Sequence, residues 1–179
     1  MTSFVSLALL LLFLGCGWIE AKTYLTQSQA IQAVFLASRV ERKTVFLTKD
    51  QMAQIESLAG VKPDSSIVSY YVARRADGVE GIAFFDRRIV RTMPVVYIAV
   101  VRPSGELDRV EILSFDEPED YLPPSPWLKL YRGRVLNNDL ALGRGIPHIT
   151  GASLTSQAMN DGIRLILATY QVAVKESVL

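Results

Sequence analysis

The chain has 179 residues, of which 50% are hydrophobic and 21% charged, and its net charge is +1. That is the size of one domain with enough apolar material for a real core. Near-neutral charge excludes the basic surface that nucleic acid demands, and no internal repeat or low-complexity run points to an array or a disordered tail.

Residues 1–21 do not read as part of the fold. Phe4 to Gly15 is almost wholly apolar, and Ala21 offers a small residue for cleavage, the shape of a secretory signal. The apolar run is short of the ~20 residues that a membrane span needs. Leu14-Gly15-Cys16 offers a second reading, a lipoprotein signal with Cys16 lipidated, and a retained anchor is a third. Each reading leaves residues 22–179 as a periplasmic or cell-envelope domain, membrane-associated in the last two. Cys16 is the only cysteine and His148 the only histidine. A mature chain without Cys16 has no disulfide and no thiolate, and one histidine cannot build a multi-histidine metal site.

Thr26 to Ala37 is predicted as the first helix, capped by Thr26, with Ala30, Ile31, Val34 and Phe35 at helical spacing. Arg39 to Lys43 reads as a charged connector and Val45-Phe46-Leu47 as a short strand. Thr48 with Gln51 opens a second helix, which runs to Ala59 before Gly60. Four strand-like runs follow: Ile67 to Ala73, Glu80 to Phe85, Val95 to Val101 and Leu107 to Ser114. The turns between them, Ala76-Asp77-Gly78 and Pro103-Ser104-Gly105, are short, which favours antiparallel hairpins over crossovers. No Gly-x-Gly-x-x-Gly follows a strand, so the dinucleotide-binding loop of a Rossmann fold is missing.

Arg74, Arg75, Arg87, Arg88 and Arg91 are the notable cations of this middle region, each suited to a phosphate or to an ordinary surface pair. Asp116, Glu117, Glu119 and Asp120 form an acidic cluster; Glu117 with Asp120 reads either as an acid–base pair or as a solvated loop. Tyr121 through Pro126 is stiffened by prolines, and Trp127 to Tyr131 suits a short apolar helix. Tyr121 and Trp127 fit either a ring-stacking role or the core.

The last element is the longest. From about Ser153 to Val174, Gln157, Asn160, Asp161, Arg164, Gln171 and Lys175 fall in one narrow stripe, and apolar residues fill most of the remaining arc. Such a helix is largely buried, and Ser153 falls in its polar stripe, where its hydroxyl is accessible. Helix amino ends expose N–H groups and favour anions. Gly151 and Ala152 leave room for close backbone approach. Thr150 or Ser153 also suits an ordinary N-cap. His148 is either a contact for a ligand at this end or a polar loop residue. The layout is α+β: a central antiparallel β-sheet flanked by helices, with a long C-terminal helix.

Thr150-Gly151-Ala152-Ser153-Leu154-Thr155-Ser156 resembles the flavinylation motif of the FMN-binding domain family. That family includes the C subunit of the sodium-pumping NADH:quinone oxidoreductase and the G subunit of the Rnf complex. Its motif runs Asp-x-x-[Ser/Thr]-Gly-Ala-[Thr/Ser], and its last hydroxyl residue takes FMN through a phosphoester bond made from FAD by a flavin transferase. The family's leading Asp falls at Pro147 here. Tyr24-Leu25-Thr26, Arg91-Thr92 and the run from Glu117-Pro118 to Pro124 are similar to small exported members. The resemblance implies an electron carrier in which Ser153 bears FMN, with Thr150, Gly151, Ala152, Leu154, Thr155 and His148 around the phosphate. It also implies two kinds of partner, a flavin transferase and redox proteins of the cell envelope. The other readings are a noncovalent FMN binder and a flavin-free structural or sensory domain of the same fold. A hydrolase using Ser153 is weaker, because there is no Gly-x-Ser-x-Gly elbow and the only histidine lies five residues away.

Overall fold

The computed structural model describes residues 25–179; the expected signal segment 1–21, with Cys16, and Tyr24 lie outside the described residues. Among those residues the chain order is α1 (Gln27–Val34), β1 (Arg39–Phe46), α2 (Lys49–Ala59), β2 (Ile67–Arg75), β3 (Gly78–Ile89), β4 (Pro94–Val101), β5 (Leu107–Phe115), α3 (Ser125–Lys129), α4 (Ser153–Thr169) and a final turn, α5 (Lys175–Val178). A π-helical turn at Tyr170–Val174 joins α4 to α5 without breaking the rod. The five strands form one antiparallel meander in the order β1-β2-β3-β4-β5. The α+β class and the closing helix are as the sequence predicts. No helix among the described residues is long and apolar enough to cross a membrane.

Local signals account for the first two helices. Thr26 and Thr48 each accept the N–H of the residue three on, and Gln29 and Gln51 reach back to the cap N–H, so both helices open on complete capping boxes. Helix α1 stops at Val34, three residues short of the predicted end. Helix α2 ends at Gly60 in the left-handed conformation (φ 73°) that glycine adopts without steric cost.

The predicted connector at Arg39–Lys43 is instead the first half of β1. Its charges do not argue against a strand, because β1 is an edge and pairs only with β2. An edge strand that faces water keeps charged side chains, which also discourage pairing with another chain. Strand β4 is the opposite case. Val95 and every residue from Tyr97 to Val101 are buried, because both faces of this strand are covered. On one face Ile98 and Val100 meet Ala30 and Ile31 of α1 and Phe35 just past its end. On the other, Tyr97, Ala99 and Val101 meet Met159, Ile163 and Ile166 of α4. Each such side chain taken from water contributes about 1.5–3 kcal/mol.

Two contacts fix α4 on the sheet. Gly162 lies where the helix crosses β3 and β4. A β-carbon there would overlap the Tyr97 hydroxyl and the Asp86 carboxylate. The space that glycine leaves holds a network that runs from the core to the surface: Tyr97 Oη donates to Asp86 Oδ2 (2.6 Å), Arg88 Nε donates to the same oxygen (2.8 Å), and Arg88 Nη1 reaches the exposed Asp64 (2.8 Å). Burial, and then the Asp86 carboxylate, push the Tyr97 phenol well above its ordinary pKa.

Arg164 makes the second contact. Its guanidinium donates to the carbonyls of Leu58 (3.1 Å) and Ala59 (2.8 Å) at the end of α2, and to those of Asn137 (3.0 Å) and Leu140 (2.8 Å) in the loop before α4. A cation here satisfies carbonyls that a helix end leaves unpaired. Helical periodicity places Arg164 in the solvent stripe, and Asn160 beside it; Asn160 is instead buried, accepting from Tyr131 Oη at 3.1 Å. Leu154, although apolar and on the same helix, is exposed.

Replacing a helix-interior glycine with alanine ordinarily adds up to about 1 kcal/mol through helix propensity. Gly162→Ala is expected to do the reverse, losing about 1–3 kcal/mol because the methyl group invades a packed polar site. Urea unfolding followed by circular dichroism measures it; a midpoint at or above that of the wild type contradicts the close contact.

Candidate functional site

The stretch before α4 is a long loop held at defined points. Arg164 grips it at Asn137 and Leu140. The Asn137 side chain accepts the N–H groups of Asp139 and Leu140. Farther on, the Trp127 indole N–H donates to the Pro147 carbonyl at 2.7 Å. Trp127 is buried and meets Tyr131 edge-on (5.2 Å between centroids), so α3 clamps the loop from inside the core. Of the two roles open to Trp127, the core role is the one it occupies.

The motif follows at once. The Ala152 N–H donates to the Ile149 carbonyl (3.0 Å), closing a β-turn with Gly151 third at φ 81°. That position requires a positive φ, which is glycine's ordinary territory. No atom lies within 4 Å of where a Gly151 β-carbon would sit, so the turn is open to approach. Ala152 takes the N-cap position of α4, and no side chain caps the helix. Neither Thr150 nor Ser153 therefore serves as an N-cap, and the first N–H groups of α4 carry no side-chain acceptor. Ser156 spends its hydroxyl locally, donating to the carbonyls of Ala152 and Ser153.

Ser153, Thr150, Gly151 and Leu154 are exposed together at this end, and Ala152 is buried beneath them. Thr155 is fully buried, and its Oγ1 is the one buried side-chain polar atom among the described residues without a hydrogen-bond partner. An orphan of this kind inside a first helical turn marks a place where an acceptor or donor from outside the chain improves the local balance. His148 is exposed in the loop, close to Gly143. These residues fit a phosphate group: open turn, free helix N–H groups, an accessible hydroxyl and no carboxylate among them.

The acidic cluster and the arginines resolve differently from expectation. Glu117 is neither a solvated charge nor half of an acid–base pair with Asp120. It is buried, and one oxygen accepts three successive backbone N–H groups, from Arg91 (3.1 Å), Thr92 (2.8 Å) and Met93 (2.9 Å), at the tip of the β3–β4 hairpin. The N–H groups of Thr92 and Met93, and then of Arg91, hold this carboxyl below the ordinary glutamate range. The Arg91 guanidinium lies over the Tyr121 ring, 5.1 Å from its centroid. Two of the stretches that carry the family resemblance, around Arg91 and from Glu117 to Tyr121, are thus one structural unit. Arg74 donates to the Val178 carbonyl, Arg75 pairs with Glu80, and Arg88 with Asp86 and Asp64. Arg87 is exposed on β3 and forms no ion pair among the described residues.

One cleft, of about 590 Å³, lies elsewhere, between β5 and the segment from Leu122 to Arg132, and touches neither the turn nor α4. A second cleft, of about 470 Å³, lies along α4 itself and is lined by Ala158 and Asp161 together with Arg87 and Ile89 of β3. Sequence patterning does not reach either hollow, since both depend on how separate elements cross.

The fold is that of NqrC from Shewanella oneidensis, whose crystal structure superposes with a TM-score of 0.57 over 86% of this chain and 89% of that one, at 13% identity. No protein-family model and no curated protein sequence matches the chain.

The Glu117 geometry has a pH signature. A carboxyl whose folded pKa is depressed adds stability that is present above the ordinary glutamate pKa and is lost as pH falls through the lower, folded value. Wild-type protein is therefore expected to lose stability below the ordinary glutamate range more steeply than Glu117→Gln. Urea midpoints measured down a series of acidic buffers test this, and parallel profiles for the two proteins contradict it.

Proposed function

We propose that this chain is an FMN-binding electron-transfer protein of the cell envelope, with FMN joined by a phosphoester to Ser153. The observation that carries the reading is the amino end of α4, where an exposed serine hydroxyl, an open glycine turn and an uncapped set of N–H groups coincide. Two routes support it together. The motif resembles that of a family which includes the C subunit of the sodium-pumping oxidoreductase, and the fold is shared with NqrC, a protein that bears the name of that subunit.

In the attachment step the Ser153 oxygen attacks the FMN phosphorus of FAD. An oxygen–phosphorus bond forms, the pyrophosphate bond breaks, AMP leaves, and the hydroxyl proton passes to solvent. A flavin transferase performs this step. The N–H groups of the first turn of α4 hold the phosphate oxygens, Gly151 lets the backbone come close, and Thr150 and His148 flank the group. Bound FMN supplies one- and two-electron transfer, so the protein's task is to hold, tune and expose it. The chain is then an electron carrier rather than a stand-alone enzyme. Residues 1–21 direct it to the envelope, where its redox partners reside. A covalent bond suits that location, because a lost cofactor is not readily replaced there.

Noncovalent binding is the second reading. At Pro147, where the family motif begins with Asp, this chain offers a ring and a carbonyl already engaged by Trp127, with no carboxylate.

The test is the intact mass of denatured mature protein after co-expression with a flavin transferase. The expected result is a gain of one FMN less water, absent in Ser153→Ala. Flavin released on denaturation supports the noncovalent reading instead, and a colourless protein of unchanged mass overturns both.

A further inference from the structure

We infer that the cleft between β5 and the segment from Leu122 to Arg132 binds an amphipathic organic anion, a molecule with an apolar chain and one carboxylate-like or phosphate-like head. The inference goes beyond the flavin reading and does not depend on it. β5 is an edge strand of the described sheet and pairs with β4. At its start the returning chain takes the place of a further strand. The Gly133 N–H donates to the Leu107 carbonyl (2.7 Å), and the Leu107 N–H donates to the Arg134 carbonyl (2.8 Å). Beside the strand residues that follow, Asp108 to Ile112, a hollow of about 590 Å³ opens between β5 and α3. That volume is within the range of small-molecule sites.

The walls combine apolar surface with an imbalance of charge. Val110 and Ile112 of β5 line the hollow together with Leu122, Pro123 and Leu128. Leu122 is 40% exposed, a large apolar side chain left in water at a concave surface, and an apolar group from outside the chain covers it. The charged lining residues are Asp108, Arg109, Glu111, Lys129 and Arg132. Both carboxylates are already engaged by arginines. Asp108 pairs with Arg102 (2.6 Å) and Arg109 (2.9 Å), and Glu111 lies 3.6 Å from Arg109. Lys129 and Arg132 are exposed and form no ion pair among the described residues. Lys129 ends α3 and Arg132 lies three residues on, along the wall that Ser125 and Leu128 also line. Two unpaired cations thus border an apolar floor. An anionic head meets both, whereas a cationic head finds no free carboxylate. Exposed ion pairs contribute little each, so the apolar body provides most of the affinity and the head decides the sign.

Isothermal titration calorimetry of the full chain at neutral pH, with decanoate as the probe, tests the site. Decanoate is expected to bind saturably. Decyltrimethylammonium, with the same tail and the opposite head, and butyrate, with the same head and a short tail, are expected not to. The double variant Lys129→Gln, Arg132→Gln is expected to weaken decanoate about tenfold. Ser125→Trp, which fills the hollow from its exposed rim, is expected to abolish binding. Lys49→Gln removes one exposed charge on α2 and leaves binding as in the wild type. All the substituted side chains are exposed, and thermal unfolding matching that of the wild type shows that the fold is kept. Co-sedimentation with phosphatidylglycerol vesicles, lost in the same cleft variants, assigns the anion to a bilayer lipid. Decanoate binding without co-sedimentation assigns it to a free amphiphile. No saturable decanoate binding, binding that survives both the double variant and Ser125→Trp, or a cationic amphiphile bound as tightly overturns the site, and each leaves the flavin reading untouched.

Discussion

The contact on which the rest of this structure depends is the crossing of α4 over β3 and β4 at Gly162. A helix of 17 residues that begins within the sequence's most distinctive motif must be set at one height and one rotation on the sheet. Apolar packing by Met159, Ile163 and Ile166 provides most of the free energy but little of the specificity, since hydrophobic contact is non-directional. The polar group beneath Gly162 is directional. The Tyr97 hydroxyl and Arg88 Nε both donate to one Asp86 oxygen, and the helix must present its missing side chain at that point. A slide by one turn brings a β-carbon into the carboxylate and leaves buried polar atoms unpaired, each costing about 1–3 kcal/mol.

Arg164 extends the same constraint to the loop. One guanidinium bridges the end of α2 to Asn137 and Leu140, and Trp127 holds Pro147 ten residues past Asn137. Between them the chain has few ways to enter α4 other than the turn at Ile149–Ala152. The exposed position of Ser153 is therefore a consequence of contacts made by β3, β4, α2 and α3. That inverts the impression left by the motif alone, in which small residues and hydroxyls stand by themselves.

What was legible in the sequence follows from which forces act locally. Capping boxes at Thr26 and Thr48, the glycine stop at Gly60 and the hairpin turns are short-range chemistry, and each appears where the residues place it. The core strands were legible from their apolar runs. Helical periodicity erred where a polar side chain has a distant partner. Asn160 and Arg164 read as solvent residues because a wheel cannot know that Tyr131, α2 and a loop converge on them. Glu117 was hidden for the same reason, since its ligands are three N–H groups some 25 residues upstream. Arg39–Lys43 was misjudged because composition does not distinguish a charged edge strand from a charged loop. The exposed hydroxyl of Ser153 was legible, but the absence of any cap and the orphaned Thr155 oxygen required coordinates.

The low identity to NqrC bears on what a shared fold can preserve. At 13% identity few side chains coincide, yet the fold spans most of both chains. An anion at a helix amino end is held by backbone N–H groups and by the absence of side chains at Gly151, neither of which depends on the residues that fill the core. A phosphate anchor can thus persist, and remain readable as a short motif, while everything around it is replaced. A cleft is made of side chains on separate elements, as where Arg87 and Ile89 on β3 meet Ala158 and Asp161 on α4, and it drifts with them. On the proposed reading, the backbone at the amino end of α4 is what holds FMN in this chain, and the side chains of its clefts are free to differ.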